Sequence, residues 1–100
     1  MSIEVRLALA RSHLSRNKKL LAKVEEGLLD KIEDVDLSKM NIKSEHAIFF
    51  FHWINSSQRL KSLNLSNNNL QSTGLTYIIA ALYTNTSLTD LDIKYIFFAS

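Results

Sequence analysis

A chain of 100 residues has room for one small domain with a thin stability margin, because a domain of this size buries only a modest share of its surface. Hydrophobic residues make up 46% of it, which excludes intrinsic disorder as the default reading, and the absence of cysteine excludes disulfides and cysteine-ligated metal sites. The net charge of +2 divides into seven Lys/Arg against four Asp/Glu in residues 1–31 and five against six in residues 32–100, with no basic stripe to argue for nucleic acid.

In residues 1–31, Ile3, Leu7, Ala10 and Leu14 recur at helical spacing. Asn17 is placed to cap a second helix with Leu20, Leu21 and Val24 facing inward, and Gly27 is placed to end it. This segment is expected to be an N-terminal helical cap, or an eroded repeat, covering the open edge of the residues from Ile32 onward. The start of the chain is no secretory signal, since Glu4, Arg6 and Arg11 interrupt any apolar stretch. Apolar runs such as Ala47 to Phe51 are far short of a membrane span. These features point to a cytoplasmic or otherwise intracellular setting, with secretion by a signal-less route left open.

From Ile32 onward the chain repeats itself at a period of 28 residues. Leu60, Leu63, Leu65, Asn68 and Leu70 fill every defined position of the pattern L-x-x-L-x-L-x-x-N-x-L. One period later come Leu88, Leu91 and Ile93; one period earlier come Ile32, Val35, Leu37 and Ile42. The segments between align as well, with Ala47, Phe50, Phe51 and Ile54 opposite Leu75, Ile78, Ile79 and Leu82. The units are 32–59, 60–87 and a partial 88–100. In each, an alternating stretch near 34–38, 62–66 or 90–94 predicts a parallel strand with every second side chain inward. The helical spacing that follows predicts helices near 45–56 and 73–84 as the crossovers parallel strands require. Gly74 falls at the start of the second helix, where a turn needs conformational freedom.

The 28-residue period with its helical segment, and above all the stretch Ala81 to Ile93, resembles the ribonuclease-inhibitor-like class of leucine-rich repeats. The resemblance covers roughly residues 32–95. It implies an α/β fold: a short solenoid with parallel strands on a concave side and helices on a convex side, capped by the N-terminal helices. Members of this class are mostly protein-binding scaffolds whose contacts often use exposed strand residues. The chain departs from the pattern in the Asn slot, which is filled by Asn68 but by Met40 and Ile96 in the other two units, so the turns there are expected to be less regular. After Lys94 the pattern stops, and the apolar Ile96, Phe97 and Phe98 lead to the expectation of self-association through the C-terminal edge.

The outward-facing strand positions supply the candidate binding residues: Asp34, Asp36, Ser38, Ser62, Asn64, Ser66, Asp90, Asp92 and Lys94. The aspartates are spread over about 10 Å, from one outer strand to the other, too open for a compact metal site. His13, His46 and His52 lack ligand spacing and read as ordinary surface or partly buried histidines. Phe49 and Trp53 lie off the predicted inward stripe and are expected to pack beside Tyr77 and Ala81 rather than form a docking patch. With no catalytic arrangement and no cofactor motif, the chain reads as a non-catalytic module that binds a protein partner, with neither nucleic acid nor membrane among its partners. Two alternatives stand beside that reading: a recognition fragment of a larger multidomain enzyme such as a ubiquitin ligase, and a decayed remnant.

Overall fold

The computed structural model describes residues 2–29 and 33–96. Its elements run α1 (Ile3–His13), α2 (Lys18–Leu29), β1 (Asp34–Asp36), a 3-10 turn (Ser44–His46) continuing into α3 (Ala47–Ser56), β2 (Ser62–Asn64), α4 (Gln71–Leu82) and β3 (Asp90–Asp92). Side-chain capping sets the first two helices. Ser2 Oγ accepts from the Val5 N–H at 3.2 Å, and Asn17 Oδ1 accepts from the Leu20 N–H at 3.1 Å, so Asn17 starts α2 as its position predicts. Gly27 does not end that helix, which runs on to Leu29.

The strands form one parallel sheet in the order β1-β2-β3. Asp34 pairs with Ser62 and Ser62 with Asp90, so the sheet register reproduces the 28-residue offset of the sequence. Each strand is three residues long, shorter than the alternating stretches suggest, because the backbone bends into a turn at the left-handed Lys39, Asn67 and Tyr95, although single bonds between neighbours continue up to those residues. Val35, Leu63 and Leu91 point to the helices, and Leu37, Leu65 and Leu70 are fully buried beyond them.

A solenoid does not form. The sheet has three short strands, α3 and α4 are the two crossovers between them, and α1 and α2 are built into the same core rather than capping an array. Ala10, Leu14, Leu20 and Val24 from those helices are all 0% exposed and belong to one hydrophobic cluster with Leu63, Phe50 and Ile54. Asn17 Nδ2 also donates to the carbonyl of Met40 at 2.8 Å, tying the α1–α2 junction to the turn after β1. A solenoid is an array in which each unit touches only its neighbours. Here a single core closes within 35 × 28 × 18 Å, and the described residues form a small α/β unit of four helices and three parallel strands.

The packing of α1 against α3 also shifts the buried stripe of α3. Arg6 Nη2 donates to the Ser56 carbonyl at 2.8 Å, and Phe49 and Trp53 are buried at 1% and 4% exposure. Phe51, expected inward, is half-buried and meets Tyr77 edge-on with ring centroids 6.3 Å apart. Its counterpart on α4, Ile79, is 48% exposed, because no described helix follows on that side. Gly74 lies inside α4 rather than in a turn. A Cβ there would sit 3.1 Å from Leu70 Cβ and 3.2 Å from Ser44 Cα, so its role is close approach of α4 to the 3-10 turn. No helix among the described residues is long and apolar enough to cross a membrane.

Candidate interaction surface

Alternation along each strand sends Val35, Leu63 and Leu91 inward and leaves two rows of side chains on the opposite face of the sheet. One row is Asp34, Ser62 and Asp90; the other is Asp36, Asn64 and Asp92. Neighbours within a row are about 4.8 Å apart and the rows about 7 Å apart. Four carboxylates therefore flank a neutral centre, acidic on both outer strands and uncharged on the middle one. Asp34, Asp36 and Asp90 are exposed, and Ser62, Asn64 and Asp92 are half-buried.

The remaining three candidates lie in the turns beyond the strands. Ser38 is half-buried and Lys94 exposed, but Ser66 is 6% exposed and is no part of the surface expected for it. The turn is formed the same way in all three units, but that of Ser66 is the middle one. The Ser66 carbonyl accepts from the Lys39 N–H on one side, and the Asn67 N–H donates to the Lys94 carbonyl on the other. Asp36 Oδ1 accepts from the Ser38 N–H at 2.9 Å, Asn64 Oδ1 from the Ser66 N–H at 2.9 Å, and Asp92 Oδ1 from the Lys94 N–H at 3.0 Å. The next residues, Lys39, Asn67 and Tyr95, all adopt left-handed backbone, with φ of 55°, 58° and 58°. Asp and Asn side chains favour such turns because they bond their own backbone two residues on. The sequence signal for these turns is Asp36, Asn64 and Asp92 one period apart, and reading those positions for partner contact alone passes over it.

Those hydrogen bonds also shape the charge. The Ser38 N–H and then its hydroxyl hold the Asp36 carboxyl below the usual carboxylate range, with Lys23 acting in the same direction. Lys94 Nζ lies 3.7 Å from Asp92 Oδ2, and Lys61 Nζ lies 3.4 Å from Glu33 Oε2. The lysine of each pair is solvent-exposed, so the pairs hold little energy and neither ties up the acidic face. Among the described residues no group of three or more His, Asp or Glu side chains is arranged to hold a metal ion.

The other chemistry-bearing side chains lie apart from this face. His46 is 3% exposed, with Nδ1 accepting from the Lys43 N–H at 2.9 Å, while His13 and His52 are half-buried in α1 and α3. Phe49 and Trp53 pack against each other within the core, their rings tilted by 37°, and offer no docking patch. A shallow groove of about 460 Å³ on the outer side of α3 and α4 is lined by Phe51, Thr73, Thr76, Tyr77 and Ala80.

No family model, curated protein or solved structure matches this chain.

Proposed function

We propose that the chain is a non-catalytic protein-interaction module that holds a basic segment of a partner on the outer face of its sheet. The observation that carries this reading is the pair of register rows, which bring Asp34, Asp36, Asp90 and Asp92 onto one accessible face at spacings fixed by the strands. An array of like charges on a rigid sheet steers an oppositely charged partner and fixes its register. The similarity of the 28-residue spacing to leucine-rich repeats supports the same role, since that class consists mostly of binding scaffolds. A cysteine-free chain suits an intracellular setting.

The test is selection of binders from a displayed random peptide library by the immobilised chain and by a variant carrying Asp34→Asn, Asp36→Asn, Asp90→Asn and Asp92→Asn. Asparagine keeps the turn-forming oxygen, as Asn64 demonstrates, so the variant loses charge without losing the turns. The chain should enrich Lys- and Arg-rich sequences and the variant should not. Equal enrichment by both, or none by the intact chain, removes the reading.

A further inference from the structure

We propose that the outer edge of β3 accepts an added strand from a partner protein, one that alternates basic and apolar residues. The proposal rests on the interaction reading above and names where and how the partner is held. β3 is the last strand of the sheet, and among the described residues nothing pairs with its far side.

The ladder already formed shows what that edge offers. Where β2 meets β3, the Thr89 and Asp90 N–H groups donate to the Lys61 carbonyl, and the Leu65 and Asn67 N–H groups donate to the Asp92 and Lys94 carbonyls. Where β1 meets β2, the same bonds occur 28 residues earlier, with Lys61 and Ser62 donating to Glu33, and Leu37 and Lys39 donating to Asn64 and Ser66. One further offset places the Thr89 carbonyl and the Ile93 and Tyr95 N–H groups on the free side of β3, in the geometry a parallel neighbour would use. None of the three has a backbone partner among the described residues. The side chains beside them are incompletely covered as well. Leu88, Leu91 and Ile93 are half-buried where their middle-unit counterparts Leu60, Leu63 and Leu65 are at most 1% exposed, and Ile79 on the adjoining helix is 48% exposed. An edge strand with unpaired backbone and apolar flanks is a template for strand addition.

Charge decides the occupant. On its outer face β3 carries Asp90 and Asp92, and the one strand now beside it presents the uncharged Ser62 and Asn64. A second copy fits poorly. Antiparallel pairing of two β3 edges sets Asp90 opposite Asp92, and pairing of β3 with the β1 of another copy sets the same aspartates beside Asp34 and Asp36. Like charges directly opposed across a sheet destabilise it, and opposite charges stabilise it. The fitting strand carries Lys or Arg beside Asp90 and Asp92 and a β-branched or aromatic residue beside Leu91.

The probe is an end-capped peptide of four Lys-Val pairs added to the full chain at low salt, read by amide hydrogen exchange and by titration. The peptide should slow exchange at Ile93 and Tyr95, and Asp90→Asn with Asp92→Asn should weaken it about tenfold. N-methylation of the peptide amides along one edge should abolish binding, and methylation along the other edge should not. Binding that survives both methylations without protecting Ile93 or Tyr95 overturns strand addition while leaving the acidic face as the binding surface. Weakening by Asp34→Asn with Asp36→Asn but not by the β3 substitutions also overturns it. So does protection of these amides in the free chain, whether independent of concentration, as when residues 97–100 cover the edge, or rising with it, as when a second copy does.

Discussion

The side-chain oxygen of Asn68 accepts a hydrogen bond from the backbone N–H of Met40 at 3.0 Å, and Met40 occupies the same slot one 28-residue period earlier. The same oxygen accepts from Ile42 N–H at 2.9 Å, and Nδ2 donates to the carbonyls of Leu37, Leu65 and Ser66 at 3.0, 2.8 and 3.2 Å. One buried asparagine thus satisfies the turns of two units, which is why Met40 can stand where the pattern has Asn without leaving the β1 turn open. Unpaired buried backbone groups cost about 1–3 kcal/mol each.

Asn68→Ala should therefore destabilise the fold by about 3–5 kcal/mol, close to the whole margin of a small domain. Asn68→Asp retains one acceptor but sets a buried carboxylate oxygen against three carbonyls, and should be at least as destabilising as Asn68→Ala in urea unfolding at pH 7.5. Met40→Ala, which leaves the backbone bond in place, should cost less than either. Equal midpoints for the parent and Asn68→Ala would show that the amide does not hold the two turns together.

A second contrast lies along the sheet. Leu65 is fully buried between two neighbouring strands, so Leu65→Ala should cost about 2–5 kcal/mol. Leu91, half-buried on the edge strand, loses less area on truncation and should cost about 1 kcal/mol. A Leu91→Ala penalty matching that of Leu65→Ala would mean the far side of β3 is covered.

The strands are legible in the sequence because their period is carried by two independent signals, the apolar slots and the in-between helices, and the register of Val35, Leu63 and Leu91 follows that period. Closure of the unit is not legible in the same way. A solenoid with a separate helical cap requires residues 1–31 to lie at an edge, whereas Leu14 and Leu20 enter the central core and α1 covers one flank of α3. Periodicity reports which side chains are apolar but not which neighbour buries them, so it puts Phe49 and Trp53 off the stripe and Phe51 on it. Gly74 reads as a turn residue for a related reason: a close contact with Ser44 Cα leaves no trace in the local sequence. Of the candidate positions, the six on the strands share one face, and Ser66 is buried because its turn lies between those of the two neighbouring units.

The left-handed residues of the three turns offer a stabilising change. Lys39 has a φ of 55°, a region that costs a residue with a Cβ about 1–2 kcal/mol relative to glycine. Lys39→Gly relieves that strain at some expense in unfolded-chain entropy, and should raise stability by about 0.5–1 kcal/mol. Asn67, at φ 58°, belongs to a type that tolerates the region, so Asn67→Gly should gain less. The order of the two gains in thermal unfolding is the measurement, and the reverse order would refute the strain at Lys39.

His46 should make the fold weaken in mild acid. Burial is the largest influence on its ring and holds its pKa below the ordinary histidine value; Glu45 opposes this and Lys43 adds to it. The neutral ring is also what the structure uses, since Nδ1 accepts from the Lys43 N–H at 2.9 Å and a proton there would remove the acceptor. The unfolded chain titrates near the ordinary histidine value of 6.5. Between that value and the lower folded one, the unfolded state binds more protons, so stability rises with pH across the interval. The contribution is complete above the unfolded pKa and is lost as pH falls through the folded one. Asp36, whose pKa is also lowered, acts in a separate window, because its contribution fades only as pH falls below the ordinary carboxylate range of about 4. Urea midpoints at pH 7.5, 6.5 and 5.5 should therefore fall in that order for the parent. His46→Asn, with no titrating ring, should flatten the series relative to its own midpoint at pH 7.5. A parent midpoint that stays constant from pH 7.5 to 5.5, or a His46 ring that titrates above 6.5 in the folded chain, would show that burial does not govern this group.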